Sequence, residues 1–186
     1  MSSALLVMDV QQAIVDAVDD GSGYLPRVRR AIDGARAADM PVIYVVIALR
    51  PGFPEVGAHN KPLAAIAENG LYVEGAPGTE IHPDIAPLPG DVIVTKRRAS
   101  AFSGSDLDVV LRARGIDRLV LTGIATSAVV LSTLCQANDL DFGLTVLADA
   151  CLDPDPEVHR VLVERLFPQW ADVVTVDDWL KASAPQ

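Results

Sequence analysis

The chain has 186 residues, half of them hydrophobic and only 5% aromatic, with a formal net charge of −10. Such a length most simply makes one domain, residues 1–186, with a large core of Val, Leu, Ala and Ile. The acidic balance argues against nucleic acid and anionic membrane surfaces as partners, because both call for a basic face. In chain order, "ALLVMDV" (Ala4 to Val10) reads as a buried strand, and Leu25, Val28, Ile32 and Ala35 follow at helical spacing. "PVIYVVIAL" (Pro41 to Leu49) is a second buried strand, rich in β-branched residues. Arg50 to Gly90 is rich in Pro and Gly and reads as one long irregular connection. "DVIVTK" (Asp91 to Lys96) is a third strand followed by a helix at "GSDLDVVLRARG", and "DRLVLTG" is a fourth, leading into "ATSAVVLSTLCQANDLD". "GLTVLADAC" is a fifth strand, "DPEVHRVLVERLF" a helix, "ADVVTV" a sixth strand, and "DDWLKA" ends the pattern.

Fully apolar strands alternating with helices predict a parallel sheet covered on both faces. The fold class is therefore α/β, a three-layer α/β/α domain on a six-stranded, Rossmann-like parallel sheet. No apolar run reaches the ~18 residues that would span a membrane, and the first residues lack the basic start of a signal peptide. Two cysteines, Cys135 and Cys151, make no disulfide framework and suit a reducing compartment, so a cytoplasmic location is expected.

In sheets of this kind the site lies beyond the carboxyl ends of the strands. That edge collects Asp9 after the first strand, Lys96 after the third, Thr122 to Thr126 after the fourth, and Asp149 and Cys151 after the fifth. The Arg50–Gly90 connection crosses the same edge and is placed to form a lid or a pocket wall. Asp9 ends an otherwise apolar strand. An Asp there also serves as a turn cap, and Lys96, followed by Arg97 and Arg98, belongs to a basic run that is ordinarily a solvated face. As a pair, the two can hold each other charged or shift each other's pKa for proton transfer. The abrupt strand-to-helix turn at Gly123, Ile124, Ala125 and Thr126 is a natural seat for an anion, since backbone N–H groups and the helix dipole converge there. The first helical turn, however, offers Ala128, Val129 and Val130, none of them a nucleophile.

"VMDVQ" with Asp9, "TKRRASAF" with Lys96 and "LVLTGIATSAVVLST" resemble the landmarks of the isochorismatase-like cysteine hydrolases, as do "GTEIHPDIAPLPGD" and "VLADAC". The resemblance runs from about Ala4 to Val174. It implies strand order 3-2-1-4-5-6, a cis peptide at Ile124–Ala125 that turns backbone N–H groups toward a substrate oxygen, and a homodimer or higher homo-oligomer. Many members hydrolyse amides, carbamoyl compounds or ureido acids with an Asp–Lys–Cys triad, whereas those acting on isochorismate cleave a vinyl ether and need no thiol. The family's thiol lies three residues beyond the threonine of the turn, and counting from Thr126 reaches Val129. A valine cannot attack a carbonyl. Cys135 lies six residues further along the helix than Val129, about 240° around and ~9 Å along, and reads as a small buried hydrophobe. Cys151 sits at the carboxyl edge but on another strand.

The implied enzyme is a hydrolase acting on a small, carboxylate-bearing metabolite, with Asp9 as general acid/base and Lys96 as its charge partner. Vinyl-ether cleavage fits the missing thiol. Amide hydrolysis through Cys151 or a water activated by Asp9, and a non-catalytic ligand-binding or assembly protein, are the alternatives. Gln11, Arg97, Phe102 and Ser127 are substrate-binding candidates. No cofactor is implied. No metal is expected either, because the histidine that related nicotinamidases carry just after the first-strand Asp is absent and nothing histidine-like follows Asp9 before His59. His82 precedes a proline, and His159 lies in a helix, where it reads as surface or interface packing.

Overall fold

A computed structural model describes residues 2–19 and 21–183. Six strands form one parallel sheet: β1 Ser2–Met8, β2 Val42–Ile47, β3 Val92–Lys96, β4 Ile116–Ile124, β5 Gly143–Leu152 and β6 Asp172–Val174. Their order is β3-β2-β1-β4-β5-β6, as the family resemblance implies. The helices are α1 Gln12–Val18, α2 Tyr24–Ala37, α3 Lys61–Glu68, α4 Leu107–Ala113, α5 Leu131–Asp139, α6 Pro156–Val161 and α7 Val176–Ser183. A π-helical turn, Thr126–Val130, joins β4 to α5.

Side chains alternate across a strand, so the apolar runs of the central strands feed two cores. Ala4, Leu6 and Met8 of β1 pack with Leu107 and Leu111 of α4 and with Val130 and Leu134 at the start of the α5 limb. Leu5 and Val7 pack on the other side with Val28, Ala31, Ile32 and Ala35 of α2 and with Val176 and Trp179 of α7. The 3.6-residue period of α2 is what presents those four side chains to one face.

Two helices escape the sequence reading. α1 is a short helix directly after β1, and α3 lies inside the Pro-rich connection. Asn60 caps α3 by accepting from the Leu63 N–H at 3.3 Å, with Pro62 in its first turn. Asn-Lys-Pro ahead of "LAAIA" is a helix-start signal, outweighed in the sequence by the density of breakers around it.

The strand order reverses between β1 and β4, and their carboxyl ends meet tightly. Met8 is in register with Gly123. Gly123 has φ 152, and a Cβ there would run into the Met8 carbonyl oxygen. The Thr122 hydroxyl donates to the Leu6 carbonyl at 3.0 Å and ties the same two strands. Just beyond, Asp9 takes up a left-handed conformation, φ 55, which Asp tolerates better than most residues.

Candidate active site

A cavity of about 280 Å³ opens at this switch point. Asp9 and Lys96 lie on its sheet side, Ile124, Ala125, Ala128 and Val129 on the turn side, and Asn60, Leu63, Ile66 and Tyr72 close it from the connection. The lid or wall expected of Arg50–Gly90 is therefore present, built by α3 and the segment after it. Ile14 and Val18 of α1 complete the lining.

The Lys96 side chain is almost fully buried, and its ammonium donates to Asp9 Oδ2 at 2.8 Å and to the Arg98 carbonyl at 2.9 Å. Asp9 Oδ1 is buried and has no hydrogen-bond partner among the described residues. Burial pushes the Asp9 carboxyl above its usual range, and the neighbouring Lys96 ammonium pulls the other way. The two oxygens thus differ: Oδ2 is held by a cation, and Oδ1 is uncommitted.

The turn is a different environment. The Ile124–Ala125 peptide is cis. The Ser127 N–H donates to Asp153 Oδ2 at 2.7 Å, and the Ala128 and Val130 N–H groups donate to the Ala125 carbonyl at 3.1 and 3.3 Å. The anion seat expected at this helix start is partly filled by the protein's own Asp153, whose Oδ1 also accepts from the Asp155 N–H at 3.1 Å. The buried Thr126 hydroxyl lies 2.8 Å from His159 Nδ1. Burial lowers the His159 imidazole below its usual range, with Asp153 countering. Instead of packing on the surface, His159 bonds to the turn.

The sequence-derived substrate contacts lie elsewhere. Gln11 is fully buried and does not line the cavity. Its amide donates to the Ile47 and Thr79 carbonyls at 3.0 and 2.8 Å and accepts from the Ile47 N–H at 2.9 Å, so it fastens α1 to β2 and the connection. Arg97 turns away from Lys96, as alternation along a strand requires. Its guanidinium bonds to the Ala48 carbonyl and to Glu74. Phe102 packs in the core, its ring 5.9 Å from that of Phe142. Ser127 is exposed beside the turn, and its neighbour Ala128 lines the cavity instead.

Neither cysteine faces Asp9. Cys151 is buried in register with Gly123, its thiol 3.9 Å from the Leu121 carbonyl, and it borders a separate cavity with Arg27, Asp153 and His159. Burial pushes that thiol up to about 12, which leaves it protonated and unreactive. Cys135, on α5, is partly buried against the core of the α4–α5 layer. Among the described residues, no group of three or more His, Cys, Asp or Glu is placed to hold a metal ion, and no helix is long and apolar enough to cross a membrane.

The fold, a 3-2-1-4-5-6 parallel sheet flanked by helices, has counterparts among known proteins. The isochorismatase domain model matches residues 3–178. The chain belongs to the isochorismatase family. Ureidoacrylate amidohydrolase RutB of Variovorax paradoxus is 34% identical over 206 residues, covering 98% of this chain and 82% of its own. An isochorismatase family protein from Burkholderia thailandensis superposes with a TM-score of 0.84 at 30% identity, covering 98% of this chain and 95% of that one. N-carbamoylsarcosine amidase from Thermoplasma acidophilum does so at 0.79 and 28%, covering 95% and 98%. This isochorismatase-family chain is accordingly a hydrolase.

Proposed function

We propose that this hydrolase cleaves a small enol ether by acid catalysis at Asp9, with no covalent thiol intermediate. The observation that carries the proposal is the buried, unpartnered Oδ1 of Asp9 at the cavity wall, on a carboxyl whose other oxygen is held by Lys96. A carboxyl lifted by burial keeps its proton closer to neutrality, as a general acid requires. Asp9 gives that proton to the terminal alkene carbon, the C=C electron pair forms the new C–H bond, and an oxocarbenium ion remains. Lys96 stabilises the aspartate produced. Water adds to the cation and returns a proton to Asp9, and the hemiketal collapses to an alcohol and a carbonyl compound.

Val129 on the opposite wall supports the absence of a thiol step, since neither cysteine lines the cavity. A second mechanism, water activated by Asp9 attacking an amide or ureido carbon, is favoured by the activities named for RutB and the carbamoylsarcosine amidase. Incubation with isochorismate, simple alkyl vinyl ethers, amides and ureido acids separates the two. Acid catalysis yields a carbonyl product that carries solvent deuterium on its new methyl group in D₂O. Ammonia release with no cleavage of any vinyl ether overturns it in favour of the amide route. We place the enzyme in the cytoplasm as a homodimer or higher homo-oligomer. Apolar side chains left exposed at Ile93 and Val109 support the second point, and sedimentation checks it.

A further inference from the structure

We propose that the cavity selects an uncharged, largely apolar substrate and discriminates against carboxylates of the same shape. The proposal rests on Asp9 and Lys96 marking the reacting end of the cavity, and it departs from the carboxylate-bearing metabolite that the family resemblance suggests. Away from that end the walls are Ile14, Ile47, Leu63, Ile66 and Val129. A carboxylate seated against such side chains loses its hydration and meets no uncommitted cation in return.

The cations that a carboxylate needs are close in sequence but committed. Lys96 donates to Asp9 and to the Arg98 carbonyl and is almost fully enclosed. Arg97 points to the far side of its strand and bonds to Ala48 and Glu74. Arg98 donates to the Arg97 carbonyl at 2.7 Å and to the Glu55 carbonyl at 2.8 Å, and it does not line the cavity. Among the described residues, no arginine reaches the lining. The polar groups that remain are neutral: the Asn60 amide, whose oxygen is engaged as a helix cap while its NH₂ is not, and the Tyr72 phenol. Burial holds that phenol above its usual range, with Asp9 adding to the effect, so it stays a neutral donor. At about 280 Å³ the space falls just below the usual range of ligand cavities, roughly 300–1,000 Å³. A short apolar body with a single polar head fits it.

The test is calorimetric titration of the wild-type protein at pH 7.5 with pentanamide and with pentanoate, two probes of one shape that differ in charge. Pentanamide is expected to bind at least about tenfold more tightly. Equal or tighter binding of pentanoate overturns the proposal, and so does failure of both to bind at millimolar concentration. Ile66→Arg, which brings a cation to a half-buried wall position, is expected to narrow the ratio to about threefold or less. An unchanged ratio in that variant shows that the walls do not set the selection, which also overturns it. Binding is read without turnover. An inactive Asp9 therefore leaves this result standing, and a charge-blind cavity leaves acid catalysis by Asp9 intact.

Discussion

The two sides of the cavity treat their polar groups in opposite ways. On the turn side, Ser127, Ala128, Val130 and Thr126 are all engaged by the protein itself, through Asp153, the Ala125 carbonyl and His159. On the sheet side, Lys96 is engaged but Asp9 keeps one buried oxygen without a partner. Proteins rarely leave a buried polar atom unpaired, because it carries its full desolvation cost. The buried oxygen left without a partner is where a substrate atom completes the bonding.

Asp9→Asn breaks the contrast most sharply. It keeps the shape and removes the acid, and turnover should fall about 10²–10⁴-fold with the far-ultraviolet circular dichroism unchanged. Lys96→Met comes next. Loss of a buried partner is expected to destabilise the protein by about 3 kcal/mol in urea unfolding. It also removes the group that pulls the Asp9 carboxyl down, so the pH at which activity is lost should move upward.

The pH dependence of the intact protein sharpens the comparison. As a general acid Asp9 works protonated, so turnover should decline as pH rises through its raised pKa, whereas a water-activating base gives the opposite slope. Stability follows the same sign. The folded pKa lies above the ordinary 3.8, so folding favours the proton on Asp9. That stabilisation is complete below 3.8 and is lost as pH rises through the folded value. Subtracting the Asp9→Asn curve isolates it from the other carboxylates.

Changes on the turn side should act through stability and substrate affinity more than through chemistry. Asp153→Ala removes two charge-assisted bonds and should cost about 2 kcal/mol, with KM altered more than kcat. Cys151→Ala is the smallest: about 1 kcal/mol of lost packing and turnover unchanged. A large loss of turnover there would return the nucleophile to Cys151.

What could be seen in the sequence follows from how local each feature is. Buried parallel strands are continuous apolar runs, so β1 to β5 stand out, and a charged residue at the end of such a run, Asp9 or Lys96, stands out with them. Gln11, beside Asp9 in "VMDVQ", looked like a ligand contact because nothing local shows that Ile47 and Thr79 arrive to satisfy its amide. His159 was opaque for the same reason. Its partner, Thr126, is 33 residues away, and the helical pattern of α6 does not say what faces it. Leu63, Ile66 and Tyr72 reach the cavity only because the connection folds back over the sheet. The Asn60–Pro62 start signal is outweighed by the breakers around it, and nothing local gives the destination of the helix.

Gly123 carries a consequence of its own. With hydrogen in place of a side chain, the β1 and β4 backbones come into contact where Asp9 and the turn diverge. The gap across the reaction centre is thereby a property of main-chain packing, fixed before any side chain is chosen. Catalysis and selectivity can be retuned by exchanging residues around that gap, at Val129 or Tyr72 for instance. Any larger residue at 123 would wedge the strands apart and change the distance at which every one of those exchanges has to work.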